Sequence, residues 1–360
     1  PITIASGAAV NVPDRIRILI NTKGPDQRGR ILSVPGKLVD ILPDPIRNRF
    51  YVLRQDTNQV LIFDSQSFEQ IGVLRTGNTP YGMAITPDNR HLLVGNDDSG
   101  IANVFDLQTL MPDRHVIFPI GHYPRSIAAS NGTILAACRV AGQVHMMDRI
   151  DFIQRRAVPY TTLGIYTNDI PLHTKLSTSP GGETIYAVGH TGQALLYEAS
   201  SDTFVVFRKD YDALQDGYGA LGSDFYAVGS VLLNSSLVRR GTFDVGTLRP
   251  AGYAAAGGRG LRVLAESSAT PGLMERFDLG KAGGARLIRL VEAPLLGNDN
   301  EPFTRVLAPL SNGESIVMLS TSGIVVVPWN FDDPVPTPKI DAVVNSANFS
   351  PAVAPGGLIS

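Results

Sequence analysis

The sequence contains a single cysteine, Cys138, among 360 residues, so no disulfide can form within the chain. We interpret this cysteine as a small buried apolar side chain. Apolar runs of about 18 residues are also lacking, so we expect no membrane-spanning segment. Neither sign of charge is in clear excess, because the formal net charge is -2. Nucleic-acid binding depends on a basic surface, so we expect no nucleic-acid partner.

Motifs of the common catalytic and cofactor sites are missing too. The chain has no Gly-x-Ser-x-Gly nucleophile elbow, no phosphate-binding loop and no dinucleotide fingerprint. The six histidines lack His-x-His and His-x-x-x-His spacing. The Asp- and Asn-rich segments 96–100 and 297–301 lack the spacing of a calcium loop, so we interpret both as turns. We expect no cofactor and no metal ion, although ligands from distant strands could still meet.

What the sequence does contain is a repeat of four short apolar segments. The first copy places them at residues 50–53, 58–64, 71–74 and 80–88, and further copies follow directly. Aspartates recur every 42 residues at the end of one segment, and we expect each to cap its own turn: Asp64, Asp106 and Asp148. Four-stranded units near 40 residues are typical of β-propeller blades.

The repeat predicts an all-β chain, with a seven-bladed β-propeller of four-stranded antiparallel blades over residues 38–333. The fourth copy is clear, the fifth and sixth are degraded, and the seventh shows only three strands. We expect an N-terminal strand in the lead-in 1–37, at about residues 16–20, to supply the missing strand and close the ring. The segment 159–172 is longer than a blade junction needs, so it is either a functional loop or an unplaced strand pairing.

One family resemblance supports this fold. The sequence Tyr51-Val52, followed by Asn58-Gln59-Val60, Phe63-Asp64 and the run 79–88, resembles the YVTN family of β-propeller repeats. It covers the first four blades and part of the seventh, and implies a secreted or surface protein of prokaryotes. Related propellers act as binding scaffolds, lactonases and quinoprotein subunits, so the resemblance does not specify a chemistry.

The C-terminal part differs in composition from the repeats. Residues 334–338 are rich in proline, which predicts an extended and stiff linker. The following segment, 343–356, resembles the opening of a short C-terminal domain of large exported bacterial proteins. The resemblance implies that the propeller is a monomeric module of a longer extracellular chain, and that 334–360 is a linker with a truncated further module.

Propellers place ligands where their innermost strands converge, so we locate the candidate site at one mouth of the axial channel. The candidate residues begin the inner strands and share polar or aromatic side chains: Lys37, Tyr81, His122, Tyr123, Arg125, His173, Thr174, Tyr218 and Arg305. A ring formed by the three cations among them would attract a carboxylate, a phosphate or an acidic sugar. Alternatively, the arginines fill the channel and pair with Asp40 or with backbone carbonyls.

Two functions remain open on this basis. The first is a non-catalytic binding or scaffold module that contacts a carbohydrate or protein partner through the mouth or one face, and we favour it. The second is an extracellular enzyme, a lactonase-like hydrolase or a polysaccharide lyase. That enzyme would need His122, Tyr81 and Arg125 to converge on a common point.

Overall fold

A computed structural model describes residues 29–243, 245–279 and 286–330, with the backbone alone at 286–288. All regular structure in these ranges is β-strand, and no helix there is long and apolar enough to cross a membrane. The first thirteen strands follow in chain order: β1 (Arg30–Ser33), β2 (Leu38–Pro43), β3 (Arg49–Arg54), β4 (Gln59–Asp64), β5 (Gln70–Arg75), β6 (Pro80–Ile85), β7 (His91–Asn96), β8 (Ile101–Asp106), β9 (Pro112–Ile117), β10 (His122–Ala129), β11 (Ile134–Val140), β12 (Met146–Asp151) and β13 (Arg156–Pro159).

The remaining strands extend to the end of the described residues. They are β14 (Thr162–Leu163), β15 (Tyr166–Thr167), β16 (Thr174–Thr178), β17 (Thr184–Gly189), β18 (Gln193–Glu198), β19 (Thr203–Arg208), β20 (Asp216–Gly222), β21 (Phe225–Val228), β22 (Val231–Leu233), β23 (Arg239–Thr242), β24 (Arg249–Ala256), β25 (Arg259–Ala265), β26 (Gly272–Asp278), β27 (Arg286–Val291), β28 (Phe303–Thr304), β29 (Leu307–Pro309), β30 (Ser315–Ser320) and β31 (Gly323–Pro328).

The strands associate into antiparallel groups of four, each of which is a blade. Blade one is β2 to β5, and blades two and three, β6 to β9 and β10 to β13, form one eight-stranded sheet. Blade four is β16 to β19, the next is β20 to β23 with the short β28 parallel to β20, and the next is β24 to β27. The last group is β29 to β31 with β1 as its outer strand.

The first strands of these groups form a closed ring. Contacts run from β2 to β6, β10, β16, β20, β24 and β29, and β29 contacts β2 again. Side chains of the inner strands also bind the backbone of the next blade. The Asp40 carboxylate accepts a hydrogen bond from Met83 N at 2.9 Å, and the hydroxyls of Ser126 and Ser177 accept bonds from Leu176 N and Ala220 N, each at 3.0 Å. The fold is a β-propeller, as the repeat predicted.

The hydrophobic core lies between neighbouring blades. Tyr51 and Ile62 of blade one pack with Met83 and Leu92 of blade two, and all four are fully buried. Middle strands are covered on both faces, which explains why they are continuous apolar runs in the sequence. The outermost strands are partly exposed, as in β5.

The strand that closes the ring is β1, which pairs with β31 from Arg30 opposite Val326 to Ser33 opposite Gly323. An N-terminal strand therefore completes the last blade, and it is Arg30–Ser33; the predicted strand at residues 16–20 lies outside the described residues. Ile31 and Leu32 pack against the core formed with β30 and β31. The pairing supplies hydrogen-bond partners to the backbone of β31, which would otherwise be an edge.

The segment 159–172 forms a small hairpin, β14 with β15, beside blade three. Asn168 fixes it, because its side chain donates to the carbonyls of Met147 and Tyr160 and accepts from Met147 N. Leu163 and Ile170 are buried. The extra residues therefore cover the junction between blades three and four.

The recurring aspartates do not all have the same role. Asp64 accepts hydrogen bonds from the backbone N of Ser67 and Asp106 from that of Thr109, so both cap turns as predicted. In blade three this position belongs to Asp151, which binds Gln154 N. Each turn also has a residue with positive φ four positions later: Phe68, Leu110 and Arg155. The prediction for Asp148 is wrong because the hairpin between β11 and β12 is longer, and Asp148 is fully buried.

Candidate functional site

Arg125 is the centre of the predicted mouth and is almost completely buried. Its guanidinium lies 3.3 Å from an Asp97 carboxylate oxygen and 3.3 Å from Glu301 Oε1, and Nη1 donates to the carbonyl of Leu172 at 3.2 Å. Its central carbon is 4.1 Å from the centre of the Tyr81 ring. Arg125 thus ties blade three to the β7–β8 hairpin of blade two and to the turn 297–301 across the axis.

The two acidic segments of the sequence contribute to this arrangement. Arg139 on β11 binds Asp97 at 2.6 Å and Asp98 at 3.0 Å, and stacks on Tyr123 at 4.3 Å. In the other segment, burial raises the pKa of Glu301 to about 7, although the nearby Lys37 ammonium lowers it. Both segments are turns, as predicted, and their carboxylates bind arginines of the chain itself.

Arg305 lies deeper in the channel and is paired with Asp40. Its Nε binds Asp40 Oδ1 at 2.6 Å, its Nη2 binds Oδ2, and Nη2 also donates to the carbonyl of Met83 at 2.8 Å. This is the alternative that the sequence left open, in which an arginine fills the channel and pairs with Asp40. The predicted ring of free cations is not formed, since Lys37 alone of the three is exposed.

Lys175 also occupies the channel, whereas the residue expected there from the sequence is its neighbour Thr174. Its ammonium nitrogen is 3.6 Å from the centre of the Tyr81 ring. Burial, together with the Arg125 guanidinium, holds the pKa of Lys175 well below its usual range. Thr174 is buried and donates to the carbonyl of Pro171. Inner strands β2, β6 and β10 have a bulge near their start, whereas β16 pairs regularly, which moves the channel-facing residue by one position.

Of the remaining candidates, Tyr218 and His173 lie in the channel and His122 does not. Tyr218 is buried beside Phe303 and lines a small cavity of about 10 Å³ with Tyr81, Lys175 and Arg305. His173 lies 3.4 Å from Arg125 and against His190, and burial with the Arg125 charge lowers the pKa of His173 to about 4. His122 instead faces the interior of its own blade.

His122 binds Asp148 and does not face the mouth. Its Nδ1 is 2.8 Å from Asp148 Oδ2, and only 7% of the residue is exposed. Tyr81 and Arg125 contact each other, so the set of three that the enzyme hypothesis needs does not converge. Sequence reasoning missed Asp97, Glu301 and Lys175, and nothing in the spacing indicates that partners 28 and 176 residues from Arg125 meet it.

Within the described part of the chain, the opposite end of the axial channel is open. A depression of about 460 Å³ lies there, with Arg305 at its floor. Its walls are the ends of inner strands and the turns that follow them, with residues 42–45, 83–89, 127–131 and 177–182 contributing. The two ends therefore differ: ion pairs of the chain cross one end, and none of the residues that the structure describes covers the other.

Comparison with known proteins supports the fold alone. No family model matches the chain, and no curated protein matches it. Among solved structures, hydrazine synthase of Kuenenia stuttgartiensis is similar over 87% of this chain and 99% of that one, with a TM-score of 0.60 and 17% identity. The WD40 repeats of RRP9 are similar over 84% of this chain and 96% of that one, with a TM-score of 0.60 and 12% identity. The Cps50 (Swd1) β-propeller domain of Myceliophteria thermophila is similar over 82% of this chain and 98% of that one, with a TM-score of 0.55 and 13% identity.

These neighbours are β-propellers. Identities this low carry no information on ligand or chemistry, so the YVTN resemblance stays an expectation. The fold itself fits a binding or scaffold module in general.

Proposed function

We propose that this propeller is a non-catalytic binding module that holds a segment of a protein partner in the depression at the open end of its channel. One observation carries the proposal. Arg125 is engaged by Asp97 and Glu301 at the predicted mouth and Arg305 by Asp40 deeper in the channel, whereas the described residues leave the depression of about 460 Å³ at the other end open. The contact surface is thus one face of the ring, opposite to the mouth that the sequence favoured.

The chemistry of the depression favours a peptide over a carbohydrate. Sugars are usually held by stacking on an aromatic ring, and none of the described residues that line this depression is aromatic. The lining combines prolines and aliphatic side chains with small polar groups, as in Pro87, Pro180, Ile85 and Thr178. Such a surface accepts the alternating apolar and polar side chains of an extended chain.

The alternative is the extracellular enzyme. It would need a histidine with Tyr81 and Arg125, and His122 is turned away to Asp148. His173 does touch Arg125, but its low pKa keeps it neutral and the ion pairs of the mouth surround it. We therefore retain the binding module as the better supported function.

The proposal includes the setting inferred from the sequence. The four-strand groups in the described ranges number seven, and we infer that they are the seven blades of one ring. The resemblance to YVTN repeats and to exported bacterial proteins supports an extracellular or cell-surface location for a bacterial module of this kind. The depression would then face partners outside the cell.

The test uses two probes on the purified chain, a random peptide display library and a glycan array. We expect selected peptides to bind, and Pro180→Arg in the depression to weaken them by more than about tenfold, because it adds charge and bulk at the wall. Lys37→Glu, an exposed change at the mouth, is the control and should leave the peptides bound. Peptide binding that survives Pro180→Arg but is lost with Lys37→Glu would contradict the assignment. Binding to glycans alone would also contradict it.

A further inference from the structure

Three side chains with metal-binding atoms meet inside blade three. His122 lies on β10, Cys138 on β11 and Asp148 on β12, so each comes from a different neighbouring strand. Their ligand atoms all lie within 4.8 Å of one another. Asp148 Oδ2 is 2.8 Å from His122 Nδ1 and 3.4 Å from Cys138 Sγ. All three residues are buried.

Blade two has a different pair of residues at this point. Asn96 is the counterpart of Cys138, because each pairs with the residue that precedes the bulge of its inner strand. Asn103 precedes the turn-capping Asp106 by three residues, as Asp148 precedes Asp151. The two asparagines form a neutral hydrogen bond of 3.0 Å. Blade three replaces this amide pair with a thiol and a carboxylate, and adds an imidazole.

The carboxylate of Asp148 is incompletely satisfied. Both of its contacts use Oδ2, while Oδ1 is buried without a hydrogen-bond partner among the described residues. An acceptor that is buried without a partner is destabilising, so such an atom usually has one. A bound cation would supply one, since a carboxylate can bind a metal through both oxygens.

We propose that His122, Cys138 and Asp148 bind a Zn²⁺ ion as a structural site that joins three strands of blade three. An imidazole nitrogen, a thiolate and a carboxylate are all zinc ligands, and the two carboxylate oxygens bring the number of donor atoms to four. The thiol disfavours Mg²⁺ and Ca²⁺, which prefer oxygen ligands. Binding releases the Cys138 thiol proton to solvent, and the neutral imidazole coordinates through one ring nitrogen while its proton sits on the other.

The site has a structural rather than a catalytic character. Its three residues are 7%, 2% and 0% exposed, so no open position faces the channel or the surface. Without the ion, burial and the Asp148 charge raise the pKa of the Cys138 thiol, which remains protonated. The ion stabilises the thiolate and crosslinks strands that are otherwise joined by backbone hydrogen bonds. A buried thiol of this kind is also protected from oxidation.

The test is a metal titration of the whole chain. Protein treated with a chelator and then titrated with Co²⁺ should take up one equivalent and show a thiolate-to-cobalt charge-transfer band, and Zn²⁺ should displace the cobalt. Zn²⁺ should also raise Tm. Cys138→Ser should abolish the band, and the nearly isosteric Asp148→Asn should weaken binding by more than about tenfold.

The matched control is Asp151→Asn, which changes an exposed carboxylate on the same strand and should leave metal uptake unchanged. Circular dichroism of each variant shows whether the propeller is folded. If the folded wild-type chain takes up no Co²⁺ or Zn²⁺, the three residues are only a hydrogen-bonded trio and the proposal is wrong. Uptake that is equal in wild type, Cys138→Ser and Asp148→Asn would place the ion elsewhere and overturn the assignment.

Discussion

At the scale of single residues, Arg125 carries the largest share of the polar contacts at the mouth. It touches a carboxylate on each side, a backbone carbonyl and the face of Tyr81. A buried arginine of this kind adds less stability than its contacts suggest, because desolvation of the charge is costly. Its removal has a larger effect, because the partly buried Glu301 loses its arginine and Asp97 keeps only Arg139 as a guanidinium partner.

We expect Arg125→Met to reduce the free energy of unfolding by about 3 kcal/mol, because Asp97 and Glu301 lose a partner in a poorly solvated place. Arg149→Met is the matched control. Arg149 pairs with Asp202 at 2.8 Å, but both side chains are about half exposed, so its loss should cost less than about 1 kcal/mol. Urea denaturation measures both values. Equal losses in the two variants would show that the mouth is no better packed than the surface.

Glu301 gives the mouth a pH dependence of its own. Burial raises the pKa of this carboxyl from 4.5 to about 7, so the folded state binds the proton more tightly than the unfolded chain. The contribution of a raised acid is present below pH 4.5 and is lost as the pH rises to about 7. Glu301→Gln keeps the shape without the charge. The Tm difference between Gln variant and wild type should therefore increase from pH 5 to pH 8, and a constant difference would contradict the assignment.

At the scale of elements, β1 is a single short strand with a large role. It has four residues, yet it completes the last blade and covers part of its core through Ile31 and Leu32. Because β1 and β31 lie far apart in the sequence, their pairing closes the ring. Without it, the backbone groups of β31 and several apolar side chains would be exposed to water.

Two truncations test this strand. A chain that begins at Gly29 retains β1, and a chain that begins at Pro35 lacks it. We expect the second to have a Tm at least about 3 °C below the first, since the loss of several backbone hydrogen bonds and apolar contacts exceeds about 2 kcal/mol. Differential scanning calorimetry of the two chains decides it. Similar melting temperatures would mean that β1 does not close the ring in solution.

The elements also show which features a sequence can reveal. Blades one to four were readable because their strands are short apolar runs separated by turn residues, and the kind of closing strand was predicted from a blade with three strands. The sequence favoured Ile16–Ile20 for the closing strand because it is more apolar than Arg30–Ser33. Pairing between strands nearly 300 residues apart leaves no local pattern that could identify the correct segment. Asp148 was misassigned because a three-residue lengthening of one hairpin keeps an aspartate in the expected position by coincidence.

At the scale of the whole molecule, the ion pair of Asp40 with Arg305 joins residues 265 positions apart, at the seam between the first and last blades. The sequence offered this pair only as an alternative to a ring of free cations, and no spacing rule decides between the two. Two contacts join the first and last blades: β1 pairs with β31 at the outside of the ring, and Asp40 pairs with Arg305 at the inside. The last blade should therefore unfold together with the rest.

The single tryptophan allows this to be measured. Trp329 follows β31, is half-buried against the core, and stacks with Arg276. We expect its fluorescence and the far-ultraviolet circular dichroism to have the same denaturation midpoint in the chain that begins at Gly29. In the chain that begins at Pro35 the fluorescence should change first. An early fluorescence transition in the longer chain would show that the last blade opens independently.

The eight-stranded sheet has one further consequence. The outer strands of blades two and three lie side by side, with Ile117 opposite Arg156 in a parallel bridge and Ile117 N donating to the carbonyl of Arg155 at 3.0 Å. Outer blade edges are where propeller chains could associate through intermolecular strand pairing and aggregate. These two edges occupy each other, and the exposed apolar side chains of Ile117 and Val158 lie beside a backbone that is already paired at this point. The protein thus uses one blade to protect the edge of its neighbour from self-association.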